Sequence, residues 1–122
     1  MIIPFPLSTY DGKVTTRQPH EVWVNKNEAP VNIAKNILRT LELFDVIKVA
    51  VIGSEAINQF VKGLAVAREM RRDTHESEDL YAVPYFSVML DHNDEERTRM
   101  IFIIFPMKDS HVTSCLYSET AK

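Results

Sequence analysis

The densest group of side chains able to do chemistry is Asp91, His92, Asp94, Glu95 and Glu96, all within one short polar run. Carboxylates this close can hold a hard divalent cation, but the run has neither the glycine nor the ligand order of an EF-hand loop. Asn and Asp are also what a hairpin turn requires, so a solvated turn is expected and no metal site. The four histidines, His20, His75, His92 and His111, fall in loops or at strand edges, and none has a partner at helical metal-ligand spacing. Ser8, Asp11 and Cys115 lie in terminal segments where a nucleophile would lack a fixed base and an oxyanion donor. The only glycines, Gly12, Gly53 and Gly63, form no phosphate-cradling motif. No catalytic residue, metal or cofactor is expected, and the chain does not read as an enzyme.

Two polar constellations remain. Lys26, with Asn25 and Asn27, stands in a loop after a strand and can donate to phosphate. Ser54, Asn58, Gln59 and Lys62 stand in the first turns of a long helix that ends in Arg68, Arg71 and Arg72. The unpaired N–H groups at such a start suit an anion or a capping side chain, and the terminal arginines complement the helix dipole.

These residues are positioned by a recognisable order of elements. Glu21 to Asn25 alternates polar and apolar residues as a strand does. Pro30 suits a first helical position, and a helix to about Phe44 follows, with Ile33, Ala34, Ile37, Leu38, Leu41 and Phe44 as its apolar stripe. Val46 to Ile52 is a β-branched strand, so the three segments make a βαβ unit with a right-handed crossover. Gly53 turns the chain, Ser54 is placed to cap, and a helix runs to Arg72 with Ile57, Phe60, Val61, Leu64, Ala65 and Ala67 on its buried face. Leu80 to Leu90 is extended, with Pro84 marking an edge or a bulge. Asp91 to Glu96 turns, and Arg97 to Pro106 is a last strand. The result is a two-layer α/β domain, βαβαββ.

The chain has 122 residues, 45% hydrophobic and 25% charged, which is enough for one domain with its own core. We divide it into an extended N-terminal arm (1–19), a domain (20–107) and a Ser/Thr-rich tail (108–122). A net charge of −3 argues against gripping duplex DNA by charge alone. One cysteine, no basic–apolar leader and no apolar run of membrane-spanning length lead us to expect a cytoplasmic protein.

With both helices on one face, the other face of the sheet should be polar. It is not, because Met100, Phe102 and Ile104 alternate with Ile101, Ile103 and Phe105 in the last strand. A cover is therefore expected: a second subunit, a partner protein, or the arm through Ile2, Ile3 and Phe5, with Trp23 and Tyr85 joining the contact.

IGSEAINQFVKGLAVAR, DLYAVPYFSVMLDHNDEERTRMIFIIFP and VNKNEAPVNIAKNIL together resemble the stage V sporulation protein S family, over about Glu21 to Pro106. The resemblance implies an Alba-like fold, a mixed four-stranded sheet in the order 1-2-4-3 with its helices on one face, often dimeric. It implies a link to sporulation and development, with nucleic-acid binding inferred from similarity to Alba. Lys26 stands where Alba-like proteins present a nucleic-acid-contacting lysine, and Asn58, Gln59, Lys62 and Arg68 match the family's helix motif. With Asn27 beside Lys26, these six form the expected nucleic-acid surface. Glu55, Phe60 and the acidic hairpin depart from the pattern. The expected function is therefore a non-catalytic module binding single-stranded DNA or RNA, or else a scaffold component docking through its apolar sheet face and arms.

Overall fold

The computed structural model describes the backbone of residues 8–13 and the full residues 18–108. In chain order the elements are β1 (Ser8–Lys13), β2 (Glu21–Val24), α1 (Pro30–Leu43), β3 (Ile47–Val51), α2 (Ser54–Arg72), β4 (Glu78–Leu90) and β5 (Glu96–Lys108). The sheet order is β1-β4-β5-β3-β2. Without β1, this is the expected βαβαββ domain with strand order 1-2-4-3. β2 and β3 pair in parallel through the α1 crossover, while β3–β5 and β4–β5 are antiparallel. The expectations for Ile2, Ile3 and Phe5, and for nearly all of the tail, lie outside the described residues.

Residues 8–13, expected only as part of an arm, add a strand that runs parallel to the Phe86–Leu90 half of β4. The other half of β4 has no described neighbour on that side. Pro84, opposite Phe102, falls in this half, which has no described neighbour on its outer side, the edge position that the sequence led us to expect.

The helices cover one face through Ile33, Ala34, Ile37, Ala56, Phe60 and Ala67, packed on Val22, Val24, Val49, Val51 and Ile104. The Phe60 ring lies 4.4 Å from that of Phe102. The α1 stripe is as expected, but the α2 face is rotated from the one expected. Val61 is 55% exposed, Ala65 faces solvent, and Gly63 is buried. The cause is the helix–helix contact: a Cβ on Gly63 would lie 2.6 Å from Ile33 Cγ2 and 3.2 Å from the Pro30 carbonyl oxygen. Only glycine permits that approach, and it turns α2 toward α1.

On the opposite face, Trp23, Ala50, Ile101 and Tyr85 stand in one row across β2, β3, β5 and β4. Arg99 lies over the Trp23 ring, 5.2 Å from its centre, and its Nε donates to Ser87 Oγ. Ile101 is 1% and Tyr85 7% exposed, so the middle of this face is already withdrawn from water in a single copy. Little of Tyr85 is left to contact a neighbour, whereas Trp23 stays half-buried.

The hairpin turn is held by Asp91. Its carboxylate accepts from the Asn93 and Glu95 N–H groups and from Arg97 Nε at 2.9 Å, and Asp94 takes the left-handed backbone at φ 59°. The Arg97 hydrogen bond, helped by the two backbone donors, lowers the Asp91 pKa from its ordinary 3.8 to about 2. A group whose folded pKa is depressed stabilises fully above its unfolded value, and that contribution disappears as pH falls through the folded one. The turn should therefore weaken between about pH 4 and pH 2. In thermal melts, Asp91→Asn should lower Tm at neutral pH, and its difference from wild type should shrink across that acid window.

Candidate nucleic-acid interface

The polar residues singled out in the sequence fall mainly at one end of the domain, where the parallel strands β2 and β3 both finish. The chain leaves the end of β2 through the loop to α1 and the end of β3 through the turn to α2, and a crevice stays open between these two connections. Here it is a cleft of about 490 Å³ lined by Trp23, Val24, Asn25, Lys26, Ala50, Ile52, Gly53, Ser54, Glu55 and Ala56. Its floor is apolar and its rim polar.

The Lys26 loop is rigid for local reasons. Asn25 Oδ1 accepts from the Asn27 N–H at 2.9 Å, and Glu28 Oε1 accepts from both the backbone N–H and the side-chain amide of Asn25. Lys26 sits at the crest of this turn, exposed to solvent. The opposite wall is the start of α2. Gly53, not Ser54, is the N-cap: its φ of 90° makes the turn that only glycine takes without strain, and no side chain caps the helix. Ser54, expected as the cap, becomes the first helical residue, because the turn at Gly53 starts the helix one position earlier. The first N–H groups of α2 thus open on the cleft without a side-chain acceptor, and Glu55 in the same turn complements the dipole.

The structure brings Lys26 to the α2 N-terminus, but it does not gather all six expected residues there. Asn27 is exposed, and its N–H is engaged within the turn. Asn58 and Lys62 are exposed farther along α2, one turn apart. Gln59 points the other way: its Nε2 donates to the Glu28 carbonyl at 2.8 Å and ties α2 to the Lys26 loop, which makes it a positioning residue. Arg68 lies at the far end of α2, where Nε and Nη2 grip the two Asp79 oxygens at 2.8 and 2.6 Å. Arg71 reaches Glu78 at 3.3 Å.

Sequence reasoning missed Ile52 and Ala50 as the cleft floor. Ile52 carried only β-branched strand character and Ala50 only a small apolar side chain within a strand, and neither tells a core residue from one that lines a cleft at a strand end. Among the described residues, no group of three or more His, Cys, Asp or Glu side chains is placed to hold a metal ion. No described helix is long and apolar enough to cross a membrane.

No curated protein matches the chain. The sequence model of the family described as Stage V sporulation protein S (SpoVS) matches residues 20–107, from the turn before β2 to the end of β5. That match spans both helices and the four strands of the α/β domain, cleft included, and the chain belongs to the stage V sporulation protein S family.

Proposed function

We propose that this protein is a non-catalytic Alba-like module that binds single-stranded nucleic acid at the cleft between the Lys26 loop and the start of α2. The observation that carries this reading is the cleft itself, where an exposed lysine on a rigid turn faces helix N–H groups that no side chain caps. One phosphate at the rim would meet a cation and oriented backbone donors, with Trp23 and Ile52 below as apolar surface for a sugar or base edge. Asn58 and Lys62 continue the polar surface along α2, and Asn27 flanks Lys26. The net charge of −3 and the acidic hairpin tip limit the number of phosphates held, so affinity is modest and the ligand is a flexible strand instead of a duplex.

The test is a salt titration of binding to a short labelled RNA strand. Binding should weaken as salt rises, and Lys26→Ala should lower both affinity and salt slope, the latter by about 0.7, which is one phosphate contact on a single strand. Unchanged slope and affinity in that variant would remove Lys26 from the interface.

A second reading is a structural component of a larger assembly, either a homo-oligomer or a complex with other proteins. It is favoured by Leu43 and Val46, which flank the α1–β3 connection at 75% and 50% exposure. The apolar sheet face supports it less, because the centre of that face is already buried in one copy. Association through such residues would tolerate salt, which separates the two readings in the same titration.

A further inference from the structure

The layer of helices does not extend over the whole sheet. α2 starts beside the end of β3, at the level where Val51 is opposite Met100 and Met100 is opposite Phe86, and it runs back from there over the lower strands. The upper half of the β4–β5 hairpin therefore stands beyond the helices. Directly opposite residues of an antiparallel pair share a face, so Phe86 is on the same side as Met100, the side of the helices and of the α2 start that walls the cleft. Leu80 on that side of β4 is buried at 5%, while Pro84 is exposed and Phe86 is 53% exposed.

Of the Phe, Tyr and Trp side chains that are described, Phe86 alone is exposed. Phe60 and Phe102 pack as a tilted pair, Phe105 stacks on Tyr81, Phe44 meets His20, and Trp23 carries Arg99. A bare aromatic face at a strand centre is apolar surface left in water, and here it continues through Pro84 and the half-exposed Val88. It stands two strands from Val51, about 10 Å at ordinary strand spacing, and Val51 leads through Ile52 and Gly53 into the cleft.

The surroundings decide what can use this face. The hairpin tip above it carries Asp94, Glu95 and Glu96 as exposed acids, which repel a duplex with its two phosphate rows. A single strand can turn its backbone away and present a base, and every base has a π-face to lay on a ring.

We propose that Phe86 is a stacking platform for an unpaired base, so that a single strand held at Lys26 extends across β3 and β5 to the hairpin. This rests on the nucleic-acid reading above. The consequence is selectivity for bases that are free to leave a helix, with a footprint longer than the cleft alone.

The experiment measures binding by fluorescence anisotropy of a labelled oligouridylate, an abasic strand of the same length, and a duplex of the same length. Phe86→Ala and Phe86→Trp are compared with wild type and with Lys26→Ala. The wild type should prefer the oligouridylate to both other probes. Phe86→Ala should weaken that binding about tenfold, the value of roughly one stacked base, without changing the salt slope or the abasic affinity. Phe86→Trp should restore it. Phe86 is exposed, so neither substitution opens the core, and circular dichroism confirms the fold. If Phe86→Ala binds as wild type does while Lys26→Ala weakens binding, the stacking role is overturned and the cleft reading stands. Equal binding of duplex and oligouridylate overturns the stacking role as well. A wild-type protein that binds none of the probes overturns both.

Discussion

Gly63→Ala should destabilise the domain by about 2 kcal/mol, although alanine is the better helix former by about 1 kcal/mol. The added methyl would sit 2.6 Å from Ile33 Cγ2, 2.7 Å from Ile33 Cβ and 3.2 Å from the Pro30 carbonyl oxygen. Neither neighbour can step aside. Ile33 is fully buried, its Cβ is fixed to the backbone, and Pro30 opens α1. The helices must therefore separate, and they carry the Ile33, Ile37, Phe60 and Ala67 contacts with them. Overpacking of this kind costs typically 1–3 kcal/mol, at the upper end where backbone must move, and it outweighs the helix-propensity gain. In a melt the loss corresponds to a Tm lower by roughly 6–10 °C. A double-mutant cycle with Ile33→Ala checks the cause, since the second substitution removes the clashing Cγ2 and the pair should cost less than the sum of its members. A Gly63→Ala variant at least as stable as wild type would mean that the close approach of α1 and α2 is not what fixes their packing.

Asp79→Ala should be at least as damaging, at about 2–3 kcal/mol in chemical denaturation, with the m-value unchanged. Asp79 is 7% exposed at the start of β4, where one oxygen accepts from its neighbour's N–H, Leu80, and both are gripped by Arg68. Truncation leaves the Leu80 N–H and the guanidinium fork without that acceptor in a place water reaches poorly. The loss stays below that of a fully buried pair because the Arg68 side chain keeps 27% of its exposure and recovers part of its hydration. Asp79→Asn should cost about 1–2 kcal/mol, since it keeps the volume and an acceptor for Leu80 but loses the charge. Equal effects of the two substitutions would assign the whole loss to the charge pair with Arg68, and an Asp79→Asn variant as stable as wild type would assign it to shape and the Leu80 acceptor alone.

Much of this architecture was legible because each element carried its own local signal. The α1 stripe has Pro30 at its start and large aliphatic residues at regular helical spacing, and packing added nothing that contradicted it. α2 misled because Val61 and Ala65 looked like core while Gly63 looked like nothing. The decisive quantity was the distance between two helix axes, which no residue in α2 encodes alone. Residues 8–13 pair with a strand more than 70 positions later, a contact no local pattern announces. At the candidate site, Lys26 and Gly53 stood out through turn chemistry. The engagement of Gln59 with Glu28 and of Arg68 with Asp79 depended on which segments meet in space, and the exposure of Phe86 on where the helix layer stops.

The stretch of β4 below β1, which has no described neighbour on its outer side, has a consequence for how copies of this protein can meet. A bare row of backbone donors invites another chain to lie down beside it and copy its extended shape, the first step toward a fibre. Pro84 interrupts that row, so a growing ribbon finds no continuous template there. Whatever company this molecule keeps, it is steered toward side-chain surfaces and away from endless strand-on-strand growth along this border.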